Sequence, residues 1–424
     1  MLRGANPKRR LAVFGLLLGG LGAVWGAASL WSGTAPEARI APPGPDPKLR
    51  DFRRFLRSQF EGTLPEFPAS LPSEDGPLRI QYTFDEALQK EIGTLISRYA
   101  PDYAALAAIE ADTGRVIALV NYAKHDPAAK NLVLKASFPA ASIFKIVTAA
   151  AALETQGLDA DSVIAFNGGS HTLYRKNIEQ TQVNRWTRYM SLKDAFARSI
   201  NTVFGKLGAF HVGPDKMGQV ASRFGFNESV ESDLPFETGV TRLPANADPY
   251  EIAEIASGFN RDSSLSVLHG ALIGGVVATD GLLMRPYVVD AAYAENGERV
   301  FGAKPEPWAR TLEVEKAHEL RELMRATVEA GTSRKSFRQV HGLKRHDELE
   351  VGGKTGSLVG GEPRGKCDWF VGYLRHDGPP IAIGVLTVNP DKWTVRSSYL
   401  AARFFDAYLK RHGDTAKKDL ASGS

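Results

Sequence analysis

The sequence predicts an α/β protein of the α+β type, a mostly antiparallel sheet covered by helices. Three observations predict it. Two apolar runs of strand length, Ala104–Glu110 and Arg115–Asn121, flank the turn Ala111-Asp112-Thr113-Gly114 and read as a β-hairpin. Helical periodicity then holds over Ser142–Thr155, Ser191–Leu207 and Glu315–Ala330. Strand character returns at Leu349–Leu358, Asp368–Leu374 and Ile381–Val388, before a closing helix around Thr394–Arg411. Strands early and late, with helices between and at the end, give a sheet with helices packed on it.

At 424 residues, 43% hydrophobic and 24% charged, the chain is long and apolar enough for one large core or two modest ones. Its one cysteine, Cys367, excludes an intrachain disulfide framework and any thiolate-built zinc or iron–sulfur site. Arg3, Lys8, Arg9 and Arg10 account for the whole net charge of +4, so the pI near 8.9 reports a basic end and argues against nucleic-acid binding. Just beyond them, Leu11–Trp31 runs for 21 residues without a charge, about 30 Å as a helix, the thickness of a hydrocarbon core. Basic residues hold the near side in the cytoplasm, and Trp25 and Trp31 suit the far interface. Residues 1–10 therefore read as a cytoplasmic tail and 11–31 as an uncleaved single-span anchor. A cleavable signal peptide is the rival, with Ala27 and Ser29 as small residues for cleavage.

Residues 32–77 read as a Pro-rich linker and a juxtamembrane helix. Pro36, Pro42, Pro43, Pro45 and Pro47 favour an extended spacer. Leu49, Phe52, Leu56 and Phe60 then recur at helical spacing among Lys48, Arg50, Arg53, Arg54 and Arg57. That stripe either lies on lipid or packs on the domain that begins near Leu78, and packing is preferred. No long linker interrupts residues 78–412, which read as one domain, and 413–424 is expected to be a disordered tail.

The sharpest local oddity is FPAASIFKIVTAAAAL, Phe138–Leu153. Ser142 and Lys145 share a helix face, and Ile143, Phe144, Ile146 and Val147 surround them with apolar side chains. A lysine in such company loses hydration, which lowers its pKa and lets it act as a base. Ser142 follows Pro139, where a helix starts, so free backbone N–H groups and the helix dipole can support developing negative charge. Alone, S-x-x-K is equally a serine cap followed by a snorkelling lysine. Two further patterns change that weighing: Ser199-Ile200-Asn201 in a predicted helix, and Lys354-Thr355-Gly356-Ser357 in a predicted strand. S-x-x-K, S-x-N and K-T-G each occur once, in that order, the first on a helix and the last on a strand, as serine acyl transfer requires.

With these residues the chain resembles the transpeptidase domain of penicillin-binding proteins. The similarity extends to YTFDEALQ (Tyr82–Gln89) and Ala104–Val120, like the family's opening helix and first hairpin. It continues through Ser191–Gly208 around the second motif, and through Gly331–Phe337 and Asp368–Leu374 around the third. The resemblance implies a five-stranded antiparallel sheet with flanking helices and an inserted helical subdomain, the active site lying between them. It also implies roles. Ser142 is the acylated nucleophile and Lys145 its base; Ser199 relays a proton to the leaving amine, and Asn201 holds Lys145 and the substrate amide. Lys354, Thr355 and Ser357 grip the donor's terminal carboxylate, and the backbone N–H groups of Ser142 and Ser357 form the oxyanion hole. Gly352, Gly353 and Gly356 leave room for substrate along the strand edge.

By the same resemblance the donor is a peptidoglycan stem peptide ending in D-Ala-D-Ala, and the acceptor is a neighbouring stem's amine. β-Lactams mimic the donor, and no metal or organic cofactor takes part. The expected activity is D,D-transpeptidation at the bacterial inner (cytoplasmic) membrane, with the catalytic domain on the outside. D,D-carboxypeptidation, with water as acceptor, is the nearest alternative. A serine β-lactamase fits less well: no E-x-x-x-N pattern lies between Asn201 and Lys354, and class D enzymes carry S-x-V where this chain has Ser199-Ile200-Asn201. A non-turnover β-lactam sensor needs a cytoplasmic signalling domain, for which residues 1–10 are too few. Residues 32–77 are too short for a glycosyltransferase domain, so a class B-like enzyme beside a separate membrane glycan polymerase is expected. It lacks the long pedestal that often docks that polymerase. Three residues are set aside: His318 lacks the second histidine of a zincin, Cys367 lacks a nearby base, and Trp369 is read as packing beside the catalytic strand.

Overall fold

The computed structural model describes residues 47–60, 67–126, 131–244, 246–345 and 348–422. The predicted tail and span, residues 1–31, lie outside them. Among the described residues no helix is long and apolar enough to cross a membrane. The folded body begins at α1 (Pro47–Phe60), earlier than the boundary the sequence suggests near Leu78. Leu49, Leu56 and Phe60 are buried, Phe52 stacks on Phe301 with ring centroids 4.4 Å apart, and Arg53 pairs with Glu306. Arg53 and Glu306 are 253 positions apart, which is why local pattern shows the stripe but not what covers it. A four-stranded sheet of Ser70–Leu71, Leu78–Tyr82, Val289–Tyr293 and Arg299–Gly302 lies beside this helix.

The main sheet unites the two ends of the domain. β1 (Tyr103–Glu110) and β2 (Val116–Ala123) form the early hairpin. β3 (Glu350–Gly360), β4 (Gly365–Arg375) and β5 (Ile381–Asn389) are the late strands. The order is β3-β4-β5-β1-β2, every neighbour antiparallel. The strand that carries K-T-G is thus an edge, with Lys354 opposite Val371. An edge strand keeps one row of backbone N–H and C=O groups for another chain, which is what an extended peptide substrate needs.

Both faces are covered, as an apolar sheet demands. On one, α2 (Glu86–Tyr99) and α8 (Ser397–Ser422) bury Leu88, Ile92, Ile96, Phe404 and Phe405. On the other, α6 (Val267–Ala278) packs against β1, β4 and β5 with all 12 of its residues buried. Beside it lie α3 (Lys145–Thr155) and α7 (Val314–Glu329). α8 is helical from Ser397 to Ser422.

Candidate active site

Ala141–Phe144 form a 3-10 turn that runs into α3. Side chains three apart line up in such a turn, so Ser142 and Lys145 stand together. Ser142 is half-buried and reachable, while Ile143 and Phe144 are buried behind it. The residue before the serine, Ala141, has a left-handed φ of +48°. That conformation costs an alanine roughly 1 kcal/mol and survives only where the surroundings impose it. Gly258, at φ +66°, is one such constraint: a Cβ there would lie 1.8 Å from the Ala141 carbonyl oxygen.

Lys145 is fully buried, and three oxygens surround its amine. Nζ lies 2.8 Å from Asn201 Oδ1, 2.5 Å from the Ser257 carbonyl and 2.8 Å from Ser142 Oγ. A neutral amine has two hydrogens and one lone pair. The amide oxygen and the carbonyl only accept, so two hydrogens go to them; in the neutral amine the remaining position, toward the serine hydroxyl, is the lone pair. Asn201 is fixed in that sense because its Nδ2 donates to the His171 carbonyl at 2.9 Å. Burial, and then the positive charge of Lys354, hold the Lys145 pKa well below the usual lysine range. With its pKa so lowered, the amine is able to take up a proton from a neighbour.

The sequence places Ser199 inside one helix, and here the structure differs. α4 (Leu192–Ala197) stops, Ser199 takes φ +57°, and α5 (Asn201–Lys206) starts afresh. Ser199 N donates to the Phe196 carbonyl and Ile200 N to the Ala195 carbonyl, the two bonds of a Schellman close. Glycine usually fills that left-handed position. Serine there costs stability but supplies a hydroxyl, which glycine cannot. Ser199 Oγ accepts from Lys354 Nζ at 2.9 Å, and Nζ also donates to the Thr355 carbonyl at 3.0 Å. Lys354 is fully buried over the Phe196 ring, and burial pulls its pKa down to about 7.

β3 supplies the opposite wall. A Cβ at Gly356 would fall 3.2 Å from Ile143 and 3.3 Å from Ser142 N, so glycine is what lets the strand approach the nucleophile turn. Ser357, next along, is exposed. Thr355 has a partner that the sequence does not announce: its Oγ1 is 2.5 Å from Thr332 Oγ1. The expectation for Gly352 and Gly353 is corrected. A Cβ at those positions would strike the Tyr373 ring at 2.6 Å and the Phe370 ring at 2.2 Å, so they make room for β4 side chains and not for substrate.

All five expected side chains, Ser142, Lys145, Ser199, Asn201 and Lys354, are linked in two hydrogen-bonded groups, with Gly356 against the first. Ser257 and His171 contribute through backbone carbonyls, which side-chain motifs do not reveal. The residues set aside remain outside the site. Cys367 is buried, with its thiol pushed up to about 12 by burial and then by Asp368. Trp369 Nε1 donates to the Pro139 carbonyl at 3.0 Å, tying β4 to the nucleophile turn. His318 lies 3.2 Å from Asp280.

A family model, the penicillin binding protein transpeptidase domain, matches residues 104–410. The chain is 26% identical over 407 residues to the peptidoglycan D,D-transpeptidase PbpA of Mycobacterium tuberculosis, which covers 88% of this chain and 78% of that protein. It is 24% identical to the stage V sporulation protein D of Bacillus subtilis, over 75% of this chain and 51% of the other. Among solved structures, the D,D-transpeptidase domain of a peptidoglycan glycosyltransferase from Eggerthella lenta superposes with a TM-score of 0.65 at 23% identity, covering 80% of this chain and 85% of that one. PBPA from Mycobacterium tuberculosis gives 0.63 at 21% identity, covering 78% and 81%. With the matched region spanning most of the chain and both walls of the cleft, the chain belongs to the penicillin-binding-protein transpeptidase family.

Proposed function

We propose that the chain is a peptidoglycan D,D-transpeptidase, held in the cytoplasmic membrane by residues 11–31 with its domain outside, that joins stem peptides through an ester on Ser142. The observation that supports it most is the buried Lys145 amine, hydrogen-bonded to no carboxylate among the described residues and 2.8 Å from Ser142 Oγ. Ser142 Oγ attacks the carbonyl carbon of the penultimate D-Ala as its proton passes to Lys145 Nζ. The oxyanion rests on the backbone N–H groups of Ser142 and Ser357. A proton relayed through Ser199 Oγ, which Lys354 steadies, goes to the departing D-Ala nitrogen as the C–N bond breaks. Lys354, when charged, also meets the donor's carboxylate, with the Thr355 and Ser357 hydroxyls beside it. An acceptor amine then attacks the ester, its proton goes to Lys145, and Ser142 leaves as the hydroxyl. A membrane glycan polymerase supplies the strands that are joined.

β-Lactams follow the first half, but their leaving nitrogen stays tethered and blocks the acceptor. Among the described residues no carboxylate hydrogen-bonds Ser142, Lys145, Ser199, Asn201 or Lys354, so no second base stands ready to activate water. That favours a lasting adduct over β-lactamase turnover. The test uses the purified full chain. Fluorescent penicillin should label it, and Ser142→Ala should not be labelled. With a stem-peptide donor and an amine acceptor, mass spectrometry should find the cross-linked product. Shortened peptide alone would make it a carboxypeptidase, and catalytic release of penicilloate a β-lactamase.

A further inference from the structure

A second polar site lies away from the cleft, on α1. Arg50, Arg53, Arg54 and Arg57 recur on one side of the helix and, with Glu231 and Ser232, line a cavity of about 240 Å³. The apolar stripe of α1 is already turned inward, so Arg50, Arg54 and Arg57 are not spent on packing the helix. Nor do the charges cancel. Arg53 is buried and committed to Glu306, and Glu231 is held 2.5 Å from Arg285. Asp51 sits loosely between two rim arginines, 3.6 Å from Arg50 and 3.8 Å from Arg54. Arg57 has no acid in pairing distance among the described residues. Three rim cations therefore face Asp51 and a Glu231 already paired with Arg285.

A guanidinium fork matches phosphate oxygens with paired N–H donors, and several forks around one hollow suit a phosphate better than a lone carboxylate. The hollow has room for a headgroup but not for a folded partner. Lipid is within reach as well: 15 residues, 32–46, separate α1 from the expected span, at most about 50 Å of extended chain. We propose that this pocket binds the phosphate of an anionic phospholipid headgroup through Arg50, Arg54 and Arg57, seating the domain on the membrane surface.

The site is independent of the catalytic reading and uses the proposed anchor only for reach. Retention of the protein in phosphatidylcholine nanodiscs tests the anchor and penicillin labelling tests catalysis, so neither failure mimics a failure of the pocket. The full chain with Ser58→Cys, on the exposed side of α1, carries a fluorophore; Cys367 is fully buried and does not compete for the label. Nanodiscs of phosphatidylcholine, with and without phosphatidylglycerol, contain a headgroup-labelled quencher lipid. Quenching should be several-fold stronger with phosphatidylglycerol. In the Arg50→Gln/Arg54→Gln/Arg57→Gln variant it should return to the phosphatidylcholine level, with surface partition reduced on the order of a hundredfold and penicillin labelling unchanged. Equal quenching in the two compositions, or persistence in the triple variant, would overturn the proposal. So would displacement by millimolar inorganic phosphate at constant ionic strength, which would mark a free-anion site instead.

Discussion

Two clusters of charge share the edge strand β3, four residues apart, and they follow opposite rules. Around Glu350 every cation has an acid. Arg321 Nη2 lies 2.6 Å from Asp280 Oδ1 and its Nε 3.7 Å from Glu350, Arg375 is 3.2 Å from Asp280, and the Tyr373 hydroxyl donates to Glu350 at 2.8 Å. Around Lys354 and Lys145 the bonded partners are hydroxyls, an amide oxygen and backbone carbonyls. Paired charges recover part of their desolvation. Unpaired ammonium groups do not, and their pKa values fall. The first cluster fastens α7 to the sheet; the second leaves two buried amines with lowered pKa values, that of Lys354 at about 7. Full burial without a counter-ion among the described residues distinguishes these two lysines from the paired cluster.

The largest expected effect comes from removing one cation from each cluster. Lys145→Ala should slow penicillin acylation roughly a thousandfold while leaving the thermal midpoint unchanged or higher, because a buried amine without a counter-ion is no asset to folding. Arg321→Ala should do the reverse. Acylation at 25 °C should stay within about twofold, and stability should fall by about 2–3 kcal/mol, near the low end for a broken buried pair because Asp280 and Glu350 keep side-chain exposures of 40% and 32%. Rapid-quench labelling and urea denaturation on both variants decide it. If Lys145→Ala lost as much stability as Arg321→Ala, the contrast would collapse.

Lys354 sharpens the comparison through pH. Its folded pKa is about 7 against 10.5 for a free lysine, so the unfolded chain binds the proton more tightly. Stability should therefore rise with pH between those values, and at neutral pH the shift costs folding on the order of 4 kcal/mol. Lys354→Met should raise the denaturation midpoint, less about 1 kcal/mol for the bond lost to Ser199. The same change should cut acylation by a carboxylate-bearing penicillin about a hundredfold. In the wild type, acylation should fall about tenfold per pH unit above roughly 7 as the ammonium deprotonates. Arginine does not titrate, so Lys354→Arg should be slower but flat over that range. A falling limb that survives in the arginine variant belongs to some other group.

The same contrast explains how much could be read in the sequence. Continuous apolar runs bounded by turns place β1 to β5 within a few residues, and S-x-x-K and K-T-G bring Ser142, Lys145 and Lys354 to one cleft. α6 was not legible. Val267–Ala278 is apolar on every side and interrupted by Gly270, Gly274 and Gly275, so it shows no helical face; its burial all round is the reason. The break at Ser199 was hidden too, because the signal for a left-handed helix end is glycine and the site needs a hydroxyl. The Ser257 carbonyl, which takes a hydrogen of Lys145, has no sequence signature, being placed by tertiary packing.

Thr332 is the smallest of these effects and the most specific to how the two walls of the cleft are joined. Its backbone N–H donates to the Ala197 carbonyl at 3.0 Å, two residues before Ser199. Its hydroxyl meets Thr355 Oγ1 at 2.5 Å, one residue after Lys354. One residue thus spans the S-x-N break and the K-T-G strand, whose lysine and serine must themselves meet. Thr332→Val keeps the shape and the backbone bond and removes only the hydroxyl. Losing a hydrogen bond worth about 1 kcal/mol should slow acylation roughly fivefold. The loss should appear in the acylation rate constant more than in the affinity for the drug, since the contact aligns Lys354 and Ser199 without binding the ring. Thr332→Ser restores the hydroxyl and should restore the rate. If serine failed to rescue, or if both variants changed only affinity, Thr332 would be a contact residue of the cleft and not the link between its walls.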